Sequence, residues 1–251
     1  MRTKKRVLWP VLLLGLSVVL LLLSAVGSAR AALTYYSENY AMEVTVSSIG
    51  VTLVENGEDV SYRNYIEDDW SDSGSGELLL GLLEETNGKL IPGRNYQEAI
   101  AVKNSGAIDS YVRVILYRSW QDAKGEKDTE LSPELIDMGL SDGNGWVIDA
   151  KASTPERMVL YYTKVLPVGA STPTLCETLR IHPDIFQKVT EERTPVEGGE
   201  KITATYQYDG YFMSLEAEVD AVQTHSGREA IKSAWGVDVV IAEDGTLTLA
   251  Q

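Results

Sequence analysis

Along most of this chain, apolar and polar residues alternate with a period of two. Met42, Val44 and Val46 are set against Glu43 and Thr45, and after Gly50 the residues Val51 and Leu53 are set against Thr52 and Val54 before the turn signal Glu55-Asn56-Gly57. Successive side chains of a strand point to opposite faces, so this pattern predicts two short strands of a half-buried sheet. Ala99 to Lys103 and Ser110 to Trp120 read the same way, the second placing Tyr111, Arg113, Ile115 and Tyr117 against Val112, Val114 and Leu116. The link that begins Asn104-Ser105-Gly106-Ala107 makes a hairpin the simplest connection between them.

Met158 to Val165 and Leu175 to Ile181 flank Pro167-Val168-Gly169-Ala170-Ser171-Thr172-Pro173, a loop because proline lacks the amide that a ladder needs. Lys201 to Tyr208 and Tyr211 to Val222 bracket Asp209-Gly210, a hairpin signal. One helix is predicted after Ser226-Gly227-Arg228-Glu229, which has capping-box spacing. Ala230, Ile231, Ala234 and Trp235 share a face, and Gly236 suits a left-handed terminus. Val237 to Ala242 and Thr246 to Leu249 form a last hairpin around Glu243-Asp244-Gly245. Residues 65–77, acidic and containing Gly74-Ser75-Gly76, and residues 121–157, polar with Ser132-Pro133 opening a helical turn, read as insertions. Leu78 to Leu83 is too short and apolar to assign by periodicity. The expected fold class is all-β: a jelly-roll-like β-sandwich with one short C-terminal helix and loop insertions.

The N-terminus follows a different pattern. Arg2, Lys4, Lys5 and Arg6 precede an apolar run from Val7 to Val26 and then Ser28-Ala29-Arg30-Ala31, the basic, apolar and small-residue sequence of a signal peptide. Residues 1–31 are therefore expected to be a leader, with a signal peptidase as transient partner, and residues 32–251 a single β-sandwich domain. At about 1.5 Å per helical residue the run also spans a hydrocarbon core, so an uncleaved membrane anchor is the alternative. Either way, cationic residues stay inside and residues 32–251 lie outside, secreted, at the cell surface or in the extracellular matrix. No L-P-x-T-G motif, lipobox cysteine or C-terminal apolar tail is present, so the membrane enters only through the N-terminal segment.

The leader carries five of the 22 basic residues and none of the 37 acidic ones, which leaves the remainder a formal charge of −20. Such a surface repels nucleic acid and anionic lipid. The single cysteine, Cys176, rules out an internal disulfide framework, and its place in Leu175-Cys176-Glu177-Thr178-Leu179 makes it a buried hydrophobe of a strand. Only two histidines occur, His182 before Pro183 and His225 before the helix, with no H-E-x-x-H, H-x-x-E-H or G-x-S-x-G motif. Asp68, Asp69 and Asp72 beside Ser71 and Ser73, and Asp142-Gly143-Asn144, are candidate sites for a hard cation. Neither fits an EF-hand, since counting from Asp69 puts Leu80 where a bidentate Glu is required, and solvated acidic loops are the expectation. No catalytic, cofactor-binding or metal-binding residue is assigned.

A family resemblance rests on several pieces in order. They are the leader joined to Thr34-Tyr35-Tyr36-Ser37, then Gly50-Val51-Thr52-Leu53, Ile91-Pro92-Gly93, and Ala99-Ile100-Ala101-Val102-Lys103-Asn104-Ser105-Gly106. Asp109-Ser110-Tyr111-Val112-Arg113-Val114, Tyr161-Tyr162 with Leu166-Pro167-Val168-Gly169, and Ala217 to Gln223 followed by Ala234-Trp235 complete the set. In these the chain resembles the TasA and camelysin group of exported Gram-positive surface proteins, whose leaders are typically removed by a SipW-type signal peptidase. The resemblance implies a jelly roll and, for the best-known members, matrix fibres assembled by donating an N-terminal strand into the next subunit; some camelysin relatives carry a metalloprotease label.

The residues admit the same assembly. Ala32 to Ala41 are compatible with an extended strand, include Tyr35, Tyr36 and Tyr40, and lack Pro and Gly, so they can add to an unpaired sheet edge of another chain or of their own. The expected function is that of a non-enzymatic surface or matrix structural protein that self-associates or joins related surface subunits. The alternative is a monomeric carbohydrate- or protein-binding module using Trp70, Trp120 and Trp146 at loop positions, and a surface metalloprotease comes last.

Overall fold

In the computed structural model, which describes residues 48–66, 69–73, 76–140, 143–206 and 210–250, the alternation becomes two antiparallel sheets stacked face to face. The leader, Ala32 to Ala41, the Met42–Val46 strand, Asp68, Gly74-Ser75, Asp142 and Asp209 lie outside the described residues. The first sheet contains β1 (Ile49–Glu55), β2 (Glu58–Ile66), β3 (Asp69–Asp72), β5 (Tyr96–Asn104), β8 (Ile136–Leu140) and β11 (Cys176–Ile181), in the order β3-β2-β1-β5-β11-β8. The second has β4 (Gly76–Glu77), β6 (Ser110–Gln121), β9 (Trp146–Ile148), β10 (Arg157–Tyr162) and β14 (Phe212–Gln223), in the order β4-β14-β6-β10-β9, with β7 (Lys127–Asp128) pairing β6 off that path. Two separate hairpins, β12 (Val189–Val196) with β13 (Gly199–Tyr206) and β15 (Val239–Ile241) with β16 (Leu247–Leu249), complete the strands.

The expected all-β sandwich is therefore the fold. Val51, Leu53, Ile100, Val102 and Leu179 of the first sheet meet Val112, Val114, Leu116, Leu160, Leu215 and Ala217 of the second in one buried core. The second sheet is covered on its other face as well. Tyr111, Ile115, Val159, Tyr161 and Val222 pack under Ile231 of α2 (Gly227–Trp235) and under Val239 and Leu247 of the last hairpin. Burial on both faces explains why β6 is so continuously apolar.

Several expected connections differ. Ala99–Lys103 and Ser110–Trp120 do not form a hairpin: β5 pairs β1 and β11, whereas β6 pairs β14 and β10, so the link between them crosses from one sheet to the other. Asn104 holds this corner, its Nδ2 donating to Ile108 O at 2.8 Å and Leu166 O at 2.9 Å while its Oδ1 accepts from Gly106 N. Nor does Lys201–Tyr208 pair with Tyr211–Val222. β13 pairs β12 around Glu197-Gly198, and β14 pairs β6 along its whole length. In both cases a nearby turn signal points to the wrong partner: β5, β6 and β14 pair with strands distant in sequence that bury their apolar faces, whereas β13 pairs with the strand just before it.

The insertions contribute strands. β3 extends β2, and the 121–157 stretch supplies β7, β8 and β9, short pieces at sheet edges whose periodicity is too brief to read. The turn at Ser132-Pro133 is as expected, a 3-10 turn over Pro133–Leu135 with Ser132 Oγ accepting from Glu134 N. Leu80–Glu85 forms a second short helix, α1. α2 ends on a left-handed Gly236 as expected, but there is no capping box. Ser226 is itself left-handed (φ 50°) and its side chain caps nothing. The chain must turn sharply there because Gly227 lies against the Tyr111 ring, where a Cβ would sit 2.8 Å from a ring carbon. Among the described residues no helix is long and apolar enough to cross a membrane.

Candidate functional site

β14 is twelve residues long and laddered to β6 from Phe212 opposite Gln121 to Gln223 opposite Ser110. On its other side β4 pairs only with Glu216 and Ala217. Antiparallel backbones alternate in the direction their amides face. Ser110 exchanges bonds with Leu166 on the β10 side, so Tyr111 and its partner Val222 face each other, and Val219, Ala221 and Gln223 of β14 face outward. Leu215 O, of the same parity, accepts from Leu78 N on that side. Among the described residues no strand completes the ladder at Val219, Ala221 and Gln223.

β1 begins beside this edge. Ile49 lines a cleft of about 250 Å³ together with Ala221, Val222 and Gln223 of β14, and Ala230, Ala234 and Trp235 of α2. Its position is clamped by the Asn104 corner. Ala107 N donates to Ser48 O at 2.8 Å, and a Cβ on Gly106 would lie 2.4 Å from Gly50 N, so only glycine admits this approach.

An ionic cluster stands in the cleft. Asp220 and Arg113 are direct partners across β14 and β6, and Asp220 takes Arg113 Nη2 on one oxygen and Arg63 Nη1 of β2 on the other at 2.5 Å. Trp70 lies under Arg63 at 4.8 Å and Trp235 under Arg113 at 5.2 Å, so each guanidinium is stacked on an aromatic face as well as paired. One carboxylate stands between the two guanidiniums, and Asp72 of β3 is the cross-strand partner of Arg63. Both Arg Nε atoms are buried without a hydrogen-bond partner.

A second polar group lies inside the core. Glu98 shares the inward parity of Ile100 and Val102 on β5 and is fully buried. Burial first, and the adjacent Glu55 carboxyl second, push its pKa up to about 8, and its Oε1 has no hydrogen-bond partner. Glu55 itself accepts the Leu79 amide at 2.6 Å. Cys176 lies nearby, fully buried, its thiol pushed up to about 12 chiefly by burial. A thiol so desolvated is an inert core group, as the sequence leads one to expect.

The other singled-out residues scatter. Trp120 and Trp146 are not at exposed loops. Each is a buried strand residue whose Nε1 donates to a carbonyl, Ser132 O and Pro173 O respectively. Of these three tryptophans Trp70, on β3, is the exposed one. His182 precedes the 3-10 turn Pro183–Gln187 and accepts from Asp184 N, whereas His225 is exposed beside α2. Asp69 and Asp72 sit on β3, and among the described residues no three His, Cys, Asp or Glu side chains come together as a metal site. Sequence reasoning missed the Arg63–Asp220–Arg113 cluster and Glu98. The outward parity of Arg113 and the inward parity of Glu98 were the available signals; the convergence of three strands was not. Comparison with family models, curated proteins and solved structures gave no match.

Proposed function

We propose that this chain is an exported, non-enzymatic surface or matrix protein that self-associates, its N-terminal segment adding a strand to the open β14 edge of a neighbouring copy. The observation that carries this reading is the unladdered run Val219–Ala221–Gln223 beside Ile49. β1 begins beside this stretch of the second sheet, where the outward backbone groups of Val219, Ala221 and Gln223 have no strand partner among the described residues. Buried backbone groups demand partners, and an extended, proline-free segment satisfies them in its own chain or another. The basic and apolar leader supports export, with a signal peptidase as partner and membrane attachment only if the leader is retained. The resemblance to the TasA and camelysin group supports the same assembly.

The test is negative-stain microscopy and light scattering on residues 32–251 against a chain starting at Met42. Filaments that disappear without Ala32–Ala41 support strand donation; two monomeric species over a wide concentration range overturn it. The cleft favours a second reading, a monomeric module for an acidic glycan, because Trp70 and Arg63 offer a stacking face beside a guanidinium. Saturable binding of such a glycan by monomeric protein, lost in Trp70→Ala, would move that reading ahead.

A further inference from the structure

The β12–β13 hairpin projects as an isolated two-stranded ribbon. All eight residues of β13 and seven of eight in β12 are exposed, and no other described strand pairs with either. Such a ribbon is marginal alone in water and is stabilised by further strands. Opposite residues share a face, so Val189 with Tyr206, Glu191 with Ala204 and Arg193 with Ile202 make one side, on which Arg193 is 3.6 Å from both Glu191 and Glu200. Thr190 with Thr205, Glu192 with Thr203 and Thr194 with Lys201 make the other.

The two edges are not equivalent. Val196 and Gly199 close a two-residue turn, so in the alternating antiparallel pattern the outward amides fall on Glu191, Arg193 and position 195 of β12, and on Glu200, Ile202 and Ala204 of β13. Position 195 is proline, which has no amide, so the β12 edge is blunted as edge strands commonly are. The β13 edge carries no proline and a single cation, Lys201.

We infer that β13 pairs antiparallel with β13 of a second copy about a two-fold axis at Thr203, joining two hairpins into a four-stranded sheet. The partner is a second copy because the strand is self-complementary in this register. Thr203 faces its own equivalent, Ile202 faces Ala204, and Lys201 faces Thr205, with no like charges opposed. Hydroxyl with hydroxyl and aliphatic with aliphatic are favourable cross-strand pairs, and Ile202 with Ala204 exchanges four backbone hydrogen bonds over the two equivalent sites. The interface is closed and isologous, so it gives dimers rather than filaments and is independent of strand donation. If both operate, it links filaments side by side.

The test uses Thr203, an exposed position whose substitution leaves the core untouched. In the exported protein Thr203→Cys should cross-link to itself under mild oxidation, since facing Cα atoms at a non-hydrogen-bonded pair fall within disulfide range, while Thr190→Cys on the blunted strand should not. Thr203→Lys opposes two ammonium groups and should weaken dimerisation about fivefold in sedimentation equilibrium. Equal cross-linking at 203 and 190, a dimer unaffected by Thr203→Lys, or a monomer at all concentrations overturns the inference. Filaments that persist in Thr203→Lys but vanish without Ala32–Ala41 leave strand donation intact, so the two ideas fail separately.

Discussion

Replacing Glu98 by Gln tests the buried carboxyl directly. In the folded chain Glu98 is fully buried beside the Glu55 carboxyl, and together these lift its pKa from 4.5 to about 8 against the one long contact from Asn56 Nδ2 at 3.4 Å, which favours the charged form. Between those values the folded state holds a proton that the unfolded state has lost. Stability from this group is therefore fully present below about pH 4.5 and is lost as pH rises towards 8, at ~1.4 kcal/mol per pH unit. The whole loss is about 3 to 5 kcal/mol, the lower end allowing for relaxation around the charge. Glutamine has nearly the same shape, cannot ionise, and its amide can donate to Glu55. Urea unfolding followed by tryptophan fluorescence, with buried Trp120 and Trp146 as reporters, should show Glu98→Gln near the wild type at pH 5 and about 3 kcal/mol more stable at pH 8. Parallel stability curves for the two proteins between pH 5 and 8 would refute the reasoning, because they would mean that Glu98 ionises at its ordinary pKa.

Asp220→Ala strands two guanidiniums over Trp70 and Trp235 and should cost about 3 kcal/mol in the same unfolding assay. A loss within 0.5 kcal/mol, about the scale of an ordinary surface substitution, would mean that the cluster is solvated. Gly106→Ala must displace the Gly50 backbone and should cost more than ~2 kcal/mol, seen as a lower urea midpoint. Cys176, with its thiol held near 12 by burial, should be labelled by an aromatic disulfide reagent only as fast as the chain opens, so native-state labelling at pH 8 within seconds would contradict its placement.

What the sequence by itself determined were the pieces set by neighbouring residues. Alternation put Val51 with Leu53, and Val112 with Val114 and Leu116, on common faces, and local signals marked Cys176 as a core residue, α2 before Gly236, the last hairpin and a helical turn after Ser132. Each needs only a period or a local turn. Which strand pairs with which was decided by the tertiary structure. Inward residues of both sheets share one core, so the alternation of β5 and β6 is the same whether they pair with each other or face across the sandwich, and the buried Asn104 corner selects the second arrangement. Trp120 and Trp146 lay in or beside polar stretches, yet each indole finds a carbonyl and a core that only the assembled sheets provide. The Arg63–Asp220–Arg113 cleft likewise exists only because β2, β6 and β14, far apart in sequence, meet at one edge, where Coulomb attraction and stacking act through space rather than along the chain.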